Sequence, residues 1–265
     1  MKIFAKLALL CALILTAAGI AQAADTKEVH RTVALDRDGR VSVETFKGSV
    51  TVGTWDRPEV RIDARIEPDG TDSDQQEKVA ATEVRISGSG SSVSIRSDYD
   101  PVRRIHHHLF GIFDGDWGTL PYVRYTIQMP ATARLEIEDH KSDIVVSGLK
   151  SDLKLHTYKG TGRVTGLDGA ARVETYKGDV RVEFARYSQA SRFETHKGEI
   201  EVRLPRDSRF ELDADTGRRG DVQSDFAMTT SAGRSRAARA SGAVNGGGPK
   251  LRVTTYKGTL RVRAS

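Results

Sequence analysis

The chain of 265 residues has one cysteine, seven prolines and few aromatic residues, 6% in all. The cysteine, Cys11, lies in an apolar run at the N-terminus. A disulfide framework and a cysteine-based metal cluster or nucleophile are therefore excluded from the rest of the chain. No second long apolar run follows, which excludes a multi-pass membrane protein. Neither sign of charge dominates: 41 basic residues face 36 acidic ones, a formal net charge of +5. So mild an excess does not argue for nucleic acid as a partner. Signature motifs of catalysis are missing too. The chain has no GxSxG, no HExxH, and no Walker or Rossmann glycine loop. The GGGP at Gly246 follows a loop and precedes a strand, the wrong context for a phosphate cradle. The residues thus call for no cofactor and single out no catalytic group. What remains, 38% hydrophobic residues and 29% charged, is enough to build a core.

Residues 1–23 read as a secretory signal peptide. Lys2 and Lys6 form a basic start, Leu7 to Ile20 an apolar middle, and Ala21-Gln22-Ala23 a small-x-small cleavage site. An uncleaved anchor is the alternative. Cleavage would leave a chain starting at Ala24, with 39 basic against 36 acidic residues, and no integral membrane segment. The expected location is the periplasm, the cell surface or the medium. Residues 24–130 form an N-terminal β region with a short helix and an insertion loop. Residues 131–265 form a region of β-strand repeats. The two are expected to make one continuous domain.

One tetrapeptide decides the fold reading. TFKG begins at Thr45, TYKG at Thr157, TYKG at Thr175, THKG at Thr195 and TYKG at Thr255, with a degenerate DHKS at Asp139. The central lysines, Lys141, Lys159, Lys177 and Lys197, are spaced by 18, 18 and 20 residues. A fixed period of this size marks a repeat architecture. Each unit alternates apolar and polar residues on both sides of the KG pair, as in ARVETYKGDVRVEF from Ala171 to Phe184. That is strand, tight turn, strand, each strand with one apolar face. Gly after Lys suits a turn that needs φ > 0. A single unit cannot bury its apolar face, but stacking consecutive units can. The expected fold is all-β, a β-solenoid-like stack of two-stranded coils of 18–20 residues, with one short N-terminal helix at Asp72–Thr82. A hexapeptide helix also has an 18-residue coil, but steps of six from Leu135 meet Lys141 and Ser147, which is no apolar ladder. An antiparallel β-sandwich joined by KG hairpins is the alternative. The Ala, Ser, Gly and Arg-rich stretch from Thr229 to Gly248 is expected to be a mobile excursion from one coil.

Four stretches carry a family resemblance. They are the N-terminal strands with a short helix and VRISGSG, the YTIQMPATARLEIE entry, the tandem VETYKGDVRVE repeats, and the closing GAVNGGGPKLRVTTYKGTLRV. With these the chain resembles the bacterial putative adhesin family, an exported β-strand-repeat domain of unknown function. Members more often carry SG or NG at the turn, where this chain has mostly KG. The resemblance implies the fold and an adhesin-like role, and no activity.

In-register stacking would align Lys141, Lys159, Lys177 and Lys197 in a row, beside a second row containing Tyr158 and Tyr176. Ammonium groups about 5 Å apart repel by on the order of 1 kcal/mol in water. Asp139, Asp143, Glu174, Asp179, Glu194 and Glu199 flank the lysines and are expected to offset this. The rows read as a binding strip for an anionic envelope polymer or glycan, with the aromatics stacking on sugar. They also read as a solvated turn edge whose lysines block edge pairing and whose rings stack between coils. The interleaved acids favour the second reading. An envelope protein is a further candidate partner. A separate candidate metal site is His106, His107, His108, Asp114 and Asp116, in an insertion rich in large apolar residues. Adjacent residues in a strand point to opposite faces, so that site requires a loop. The leading function is an exported, non-enzymatic envelope-binding or scaffold protein; the alternative is a metal- or small-ligand-binding module using the His106–Asp116 loop.

Overall fold

A computed structural model describes residues 26–71, 73–103, 119–217, 220–227, 229–230 and 239–265. Among these residues the protein is all-β apart from a seven-residue helix, Gln75–Ala81, and one helical turn at 100–103. Seventeen strands join into one hydrogen-bonded sheet that winds as a β-solenoid-like stack.

The repeat units form coils as the alternation requires. β5 (Arg134–Ser147) contains a whole coil. It is followed by β6 (Leu153–Thr157) with β7 (Thr161–Leu167), β8 (Ala171–Lys177) with β9 (Val180–Phe184), and β10 (Ser191–Lys197) with β11 (Glu199–Leu204). Neighbouring coils pair in parallel with equivalent residues side by side. Leu135 lies beside Leu153, which lies beside Ala171; Ile137, Leu155 and Val173 make the next row. The alternate side chains from both strands of each coil meet inside. Leu155, Val173, Val182, Phe193, Val202 and Leu204 are all at most 1% exposed. Removing one large apolar side chain from water is worth about 1.5–3 kcal/mol, and only a neighbouring coil can supply that cover.

The order of the stack is not the order of the chain. β16 (Lys250–Thr255) and β17 (Thr259–Ala264), the last coil in sequence, do not lie at the end. β16 pairs with β10 on one side and with β12 (Phe210–Asp215) on the other. β17 sits likewise between β11 and β13 (Asp221–Ser224). The C-terminal coil is a wedge between two coils that precede it. β1 (Lys27–Trp55) is internal too. It pairs in parallel with β5 on one side and with β3 (Glu83–Asp98) and β4 (Tyr122–Pro130) on the other. Stacking strictly consecutive units, the expectation above, is corrected here at both ends.

Antiparallel strands cover both ends of the stack. β2 (Glu59–Glu67) bridges the start of β1 and β4. At the other end β15 (Arg239–Val244) pairs with β12, and β14 (Thr229–Thr230) pairs with β15. The second half of the expected excursion is therefore a strand that closes the open edge of β12, a device that prevents edge-to-edge association. The helix α1 runs from Gln75 to Ala81 and buries Val79.

Candidate functional site

The TxKG tetrapeptide forms a corner of the stack at its five occurrences, DHKS takes its place in β5, and each of its four positions has its own task. The threonines point inward and are buried: Thr45, Thr157, Thr175, Thr195 and Thr255. The Thr157 hydroxyl donates to Asp139 (2.7 Å) and accepts the Gly160 N–H (2.9 Å), tying two coils and one turn together.

The glycines are required by contact more than by torsion. Only Gly48 (φ 135°) and Gly198 (φ 126°) of the five corner glycines lie at positive φ. At Gly160, Gly178 and Gly258 an added Cβ would stand 2.3, 1.9 and 2.2 Å from a carbonyl oxygen of the next coil. The expectation of a positive-φ turn is corrected at these three positions. Glycine is there because the backbones touch.

The second position forms a continuous stack of rings. Phe46, His140, Tyr158, Tyr176, His196 and Tyr256 lie face to face, with successive centroids 4.6, 4.9, 4.9, 4.8 and 5.0 Å apart and planes within 16° of parallel. The spacing is that of the strands, about 4.8 Å, so the ladder of backbones dictates the ladder of rings. Stacking occupies the ring faces with one another. What the column presents outward is ring edges and the phenol hydroxyls; sugar stacking on ring faces has no room between Phe46 and His196. Tyr256, 60% exposed, is the last ring of the column.

The lysines form the adjoining column. Lys47 pairs in register with Lys141, and Lys177 with Lys197. Lys159, Lys177 and Lys257 donate their backbone N–H to the carbonyls of His140, Tyr158 and His196 in the neighbouring coil. Lys47 turns away to a buried ion pair with Asp69 and lies over the Tyr122 ring. The ammonium groups of Lys159, Lys177 and Lys257 lie 5.5–5.7 Å from the centroids of Tyr158, Tyr176 and Tyr256. Cation–π contacts of this exposed kind are worth about 0.5–1 kcal/mol.

The flanking acids direct their hydrogen bonds and ion pairs away from this column. Asp139 accepts the N–H groups of Lys141 and Ser142 and the Thr157 hydroxyl. Asp143 accepts the Thr161 hydroxyl, and Asp179 the Glu199 N–H. Glu174, Glu194 and Glu199 pair with Arg172, Arg192 and Arg261. Among the described residues, no carboxylate lies within ion-pair distance of Lys141, Lys159, Lys177, Lys197 or Lys257. These acids flank the lysines without pairing with them: arginines, backbone amides and threonine hydroxyls hold their carboxylates.

Sequence reasoning brought Lys141, Lys159, Lys177, Lys197, Tyr158 and Tyr176 together, and the structure places all six along one edge. It left Tyr256 and Lys257 out of the row, because it took chain order for stack order. The wedge position of β16 sets Tyr256 beside His196 and extends both columns by a coil. His106, His107, His108, Asp114 and Asp116 lie outside the described residues. Among the described residues, no group of three or more His, Cys, Asp or Glu could hold a metal ion, and no helix is long and apolar enough to cross a membrane.

Comparison with known proteins found no match to a curated protein. Two solved structures are similar to this chain. One is described as a "putative cell adhesion protein" from Clostridium sporogenes: TM-score 0.53, 10% identity, covering 91% of this chain and 100% of that one. The other is described as a "putative adhesin" from Bacteroides fragilis: TM-score 0.45, 11% identity, covering 90% of this chain and 97% of that one. Residues 32–263 match the family described as Toastrack DUF4097. Such a match spans nearly the whole strand stack, and the chain belongs to that family.

Proposed function

We propose that this protein is an exported, non-enzymatic binding protein of the cell envelope, adhesin-like, that grips an anionic polymer along its KG edge. The observation that carries this reading is the lysine column. Five lysines stand in one column on coils about a strand spacing apart, and among the described residues none makes an ion pair, while the flanking acids hold arginines, backbone amides and threonine hydroxyls. Like charges in one row with no ion-pair partner favour an external polyanion, which offsets their repulsion on binding. The mode is avidity. Each coil adds one weak contact to a rigid ladder, and the sum gives the grip. Repetition of one group along an edge suits binding; catalysis calls for unlike groups converging on one point. The signal-peptide pattern of residues 1–23 supports export. The printed name of the Clostridium sporogenes neighbour points the same way.

The test is retention of the chain from Ala24 to Ser265 on purified envelope fractions at low and moderate salt, with and without chelator. Salt-sensitive, chelator-insensitive retention is expected, with a marked loss in Lys159→Ser/Lys177→Ser/Lys197→Ser. Unchanged retention of that variant contradicts the reading. Chelator-sensitive retention moves the function to the His106–Asp116 segment.

A further inference from the structure

The same sheet that ends at the KG edge has a second feature at its opposite margin. A shallow groove of about 560 Å³ runs across the starts of the strands β5, β6, β8, β10 and β16. Its lining holds seven cationic side chains and two acidic ones. The row that forms its axis can be read from the register: Arg40 beside Arg134, then Asp152, Ala170, Ala190 and Lys250. Alanines in mid-row leave the depth, since nothing projects beyond their Cβ atoms.

The charges at the groove's ends are unmatched. Arg40 and Arg134 stand side by side on paired strands, both exposed. Among the described residues neither makes an ion pair, and nor does Lys250 at the other end. Asp152, next to Arg134 in the row, accepts the Ala170 N–H (3.2 Å) and is not an ion-pair partner of Arg134. The inner cations differ. Arg172 pairs with Glu174 and Arg252 with Asp213, both at 2.9 Å, two charges that close the groove's flank without adding net attraction. Arg134 and Lys250 are four strands apart, about 19 Å at the usual strand spacing.

We infer that this groove is a second binding site, independent of the KG edge, for a linear carboxylated polysaccharide. The chain would lie along the stack axis, its carboxylates on Arg134, Arg40 and Lys250. The guanidinium fork matches a carboxylate with two parallel hydrogen bonds. The alanine floor accepts the C–H faces of sugar rings, which need a shallow apolar bed with polar rims. No aromatic side chain lines the groove, so it lacks the stacking platform that single-stranded nucleic acid requires. The row Glu138, His156, Glu174 and Glu194 separates the groove from the aromatic column, and no lysine of the KG edge lines the groove.

The experiment titrates the chain from Ala24 to Ser265 with oligogalacturonate as the carboxylated probe, neutral dextran oligomers as the uncharged control, and polyphosphate as an anion without sugar. Tight binding of oligogalacturonate and none of dextran are expected. Arg40→Ser/Arg134→Ser/Lys250→Ser should lower affinity at least tenfold. Those residues are exposed and unpaired, so folding is unaffected and circular dichroism will match the parent. Ala190→Glu, which fills the floor and adds a negative charge to it, should act likewise. Lys159→Ser/Lys177→Ser/Lys197→Ser removes the KG edge's share of binding, and adding the groove substitutions to it should still lower affinity for the probe at least tenfold. The proposal is overturned if the groove substitutions leave affinity unchanged in the lysine variant, if the lysine variant alone has lost all binding of the probe, or if the lysine variant binds polyphosphate more tightly than oligogalacturonate.

Discussion

Replacing Gly178 by alanine puts the close stacking of the corners to a quantitative test. The new Cβ would stand 1.9 Å from the Gly160 carbonyl oxygen. Ordinary contact needs well over an ångström more, so the two coils must part at that point. Parting stretches the hydrogen bonds from Lys177 N–H to Tyr158 (2.9 Å) and from Gly162 N–H to Asp179 (3.0 Å). Both would leave the range in which such bonds hold. Two backbone hydrogen bonds at about 1 kcal/mol each, with about 1–3 kcal/mol of overpacking strain, give a loss of about 3–5 kcal/mol. That is a large part of the roughly 5–15 kcal/mol that holds a domain folded. Gly178 is not at positive φ, so the torsional penalty of alanine does not enter. The comparison is Gly162→Ala in the neighbouring coil. Its Cβ would meet only the methyl groups of Leu155 and Val180, at 3.3 and 3.4 Å. Flexible side chains can give way, and the cost should stay below about 1.5 kcal/mol. Urea unfolding of both variants reads the difference. A Gly178→Ala variant within about 1 kcal/mol of the parent, or a Gly162→Ala variant equally damaged, refutes the reasoning.

Further outcomes follow from the ring column, the titrating groups and the wedge. Tyr176→Ala removes a ring with neighbours on both faces and should cost about 1–3 kcal/mol, whereas Tyr256→Ala removes one contact and should cost about half as much; chemical unfolding of each compares them. Hydrogen bonds hold three carboxyls below their ordinary value of 3.8: Asp63 through His30, Asp215 through the Gly217 N–H and then Arg239, and Asp225 through Arg263. Their stabilisation is present above that value and is lost as pH falls through the depressed ones. His30 is raised from 6.5 by its hydrogen bonds to Asp63 and then Glu28, so its share is present below 6.5 and is lost as pH rises through the raised value. The melting temperature should therefore be highest between roughly pH 4 and 6, and Asp63→Asn should flatten the fall on the alkaline side. Deletion of residues 250–265 removes the shared neighbour of β10–β11 and β12–β13, leaving Phe193 and Leu212 without their in-register partners. Unfolding followed by circular dichroism should lose its single transition; a single transition at a slightly lower midpoint contradicts the wedge.

The coils were legible because alternation and the KG period are local properties. ARVETYKGDVRVEF states two strands and a corner without help from the rest of the chain. The order of the coils was not legible. Thr255–Gly258 looks like one more repeat, and only the partners of β16, Phe193 on one side and Leu212 on the other, reveal its place in the stack. The corner glycines were found for a reason that holds at two of five positions, since close approach depends on a neighbouring coil and not on the turn itself. The lysine column was visible from the repeat, but its lack of ion pairs was not. Glu174 and Asp179 lie within three residues of Lys177, yet one pairs with Arg172 and the other with a backbone amide. The groove escaped notice because Arg40, Arg134 and Lys250 are far apart in sequence and meet only through register.

The central claim, avidity along the lysine column, is tested most directly by removing its members one at a time. Lys177, then Lys159, Lys197, Lys141 and Lys257 are replaced by serine, and affinity for one purified anionic envelope polymer is measured at each step at fixed salt. At about 1 kcal/mol per lysine, each step should weaken binding about fivefold, with a shallower salt dependence each time. Loss concentrated in a single step points to one local site, and no loss across the series removes the column from binding altogether; either result contradicts the account.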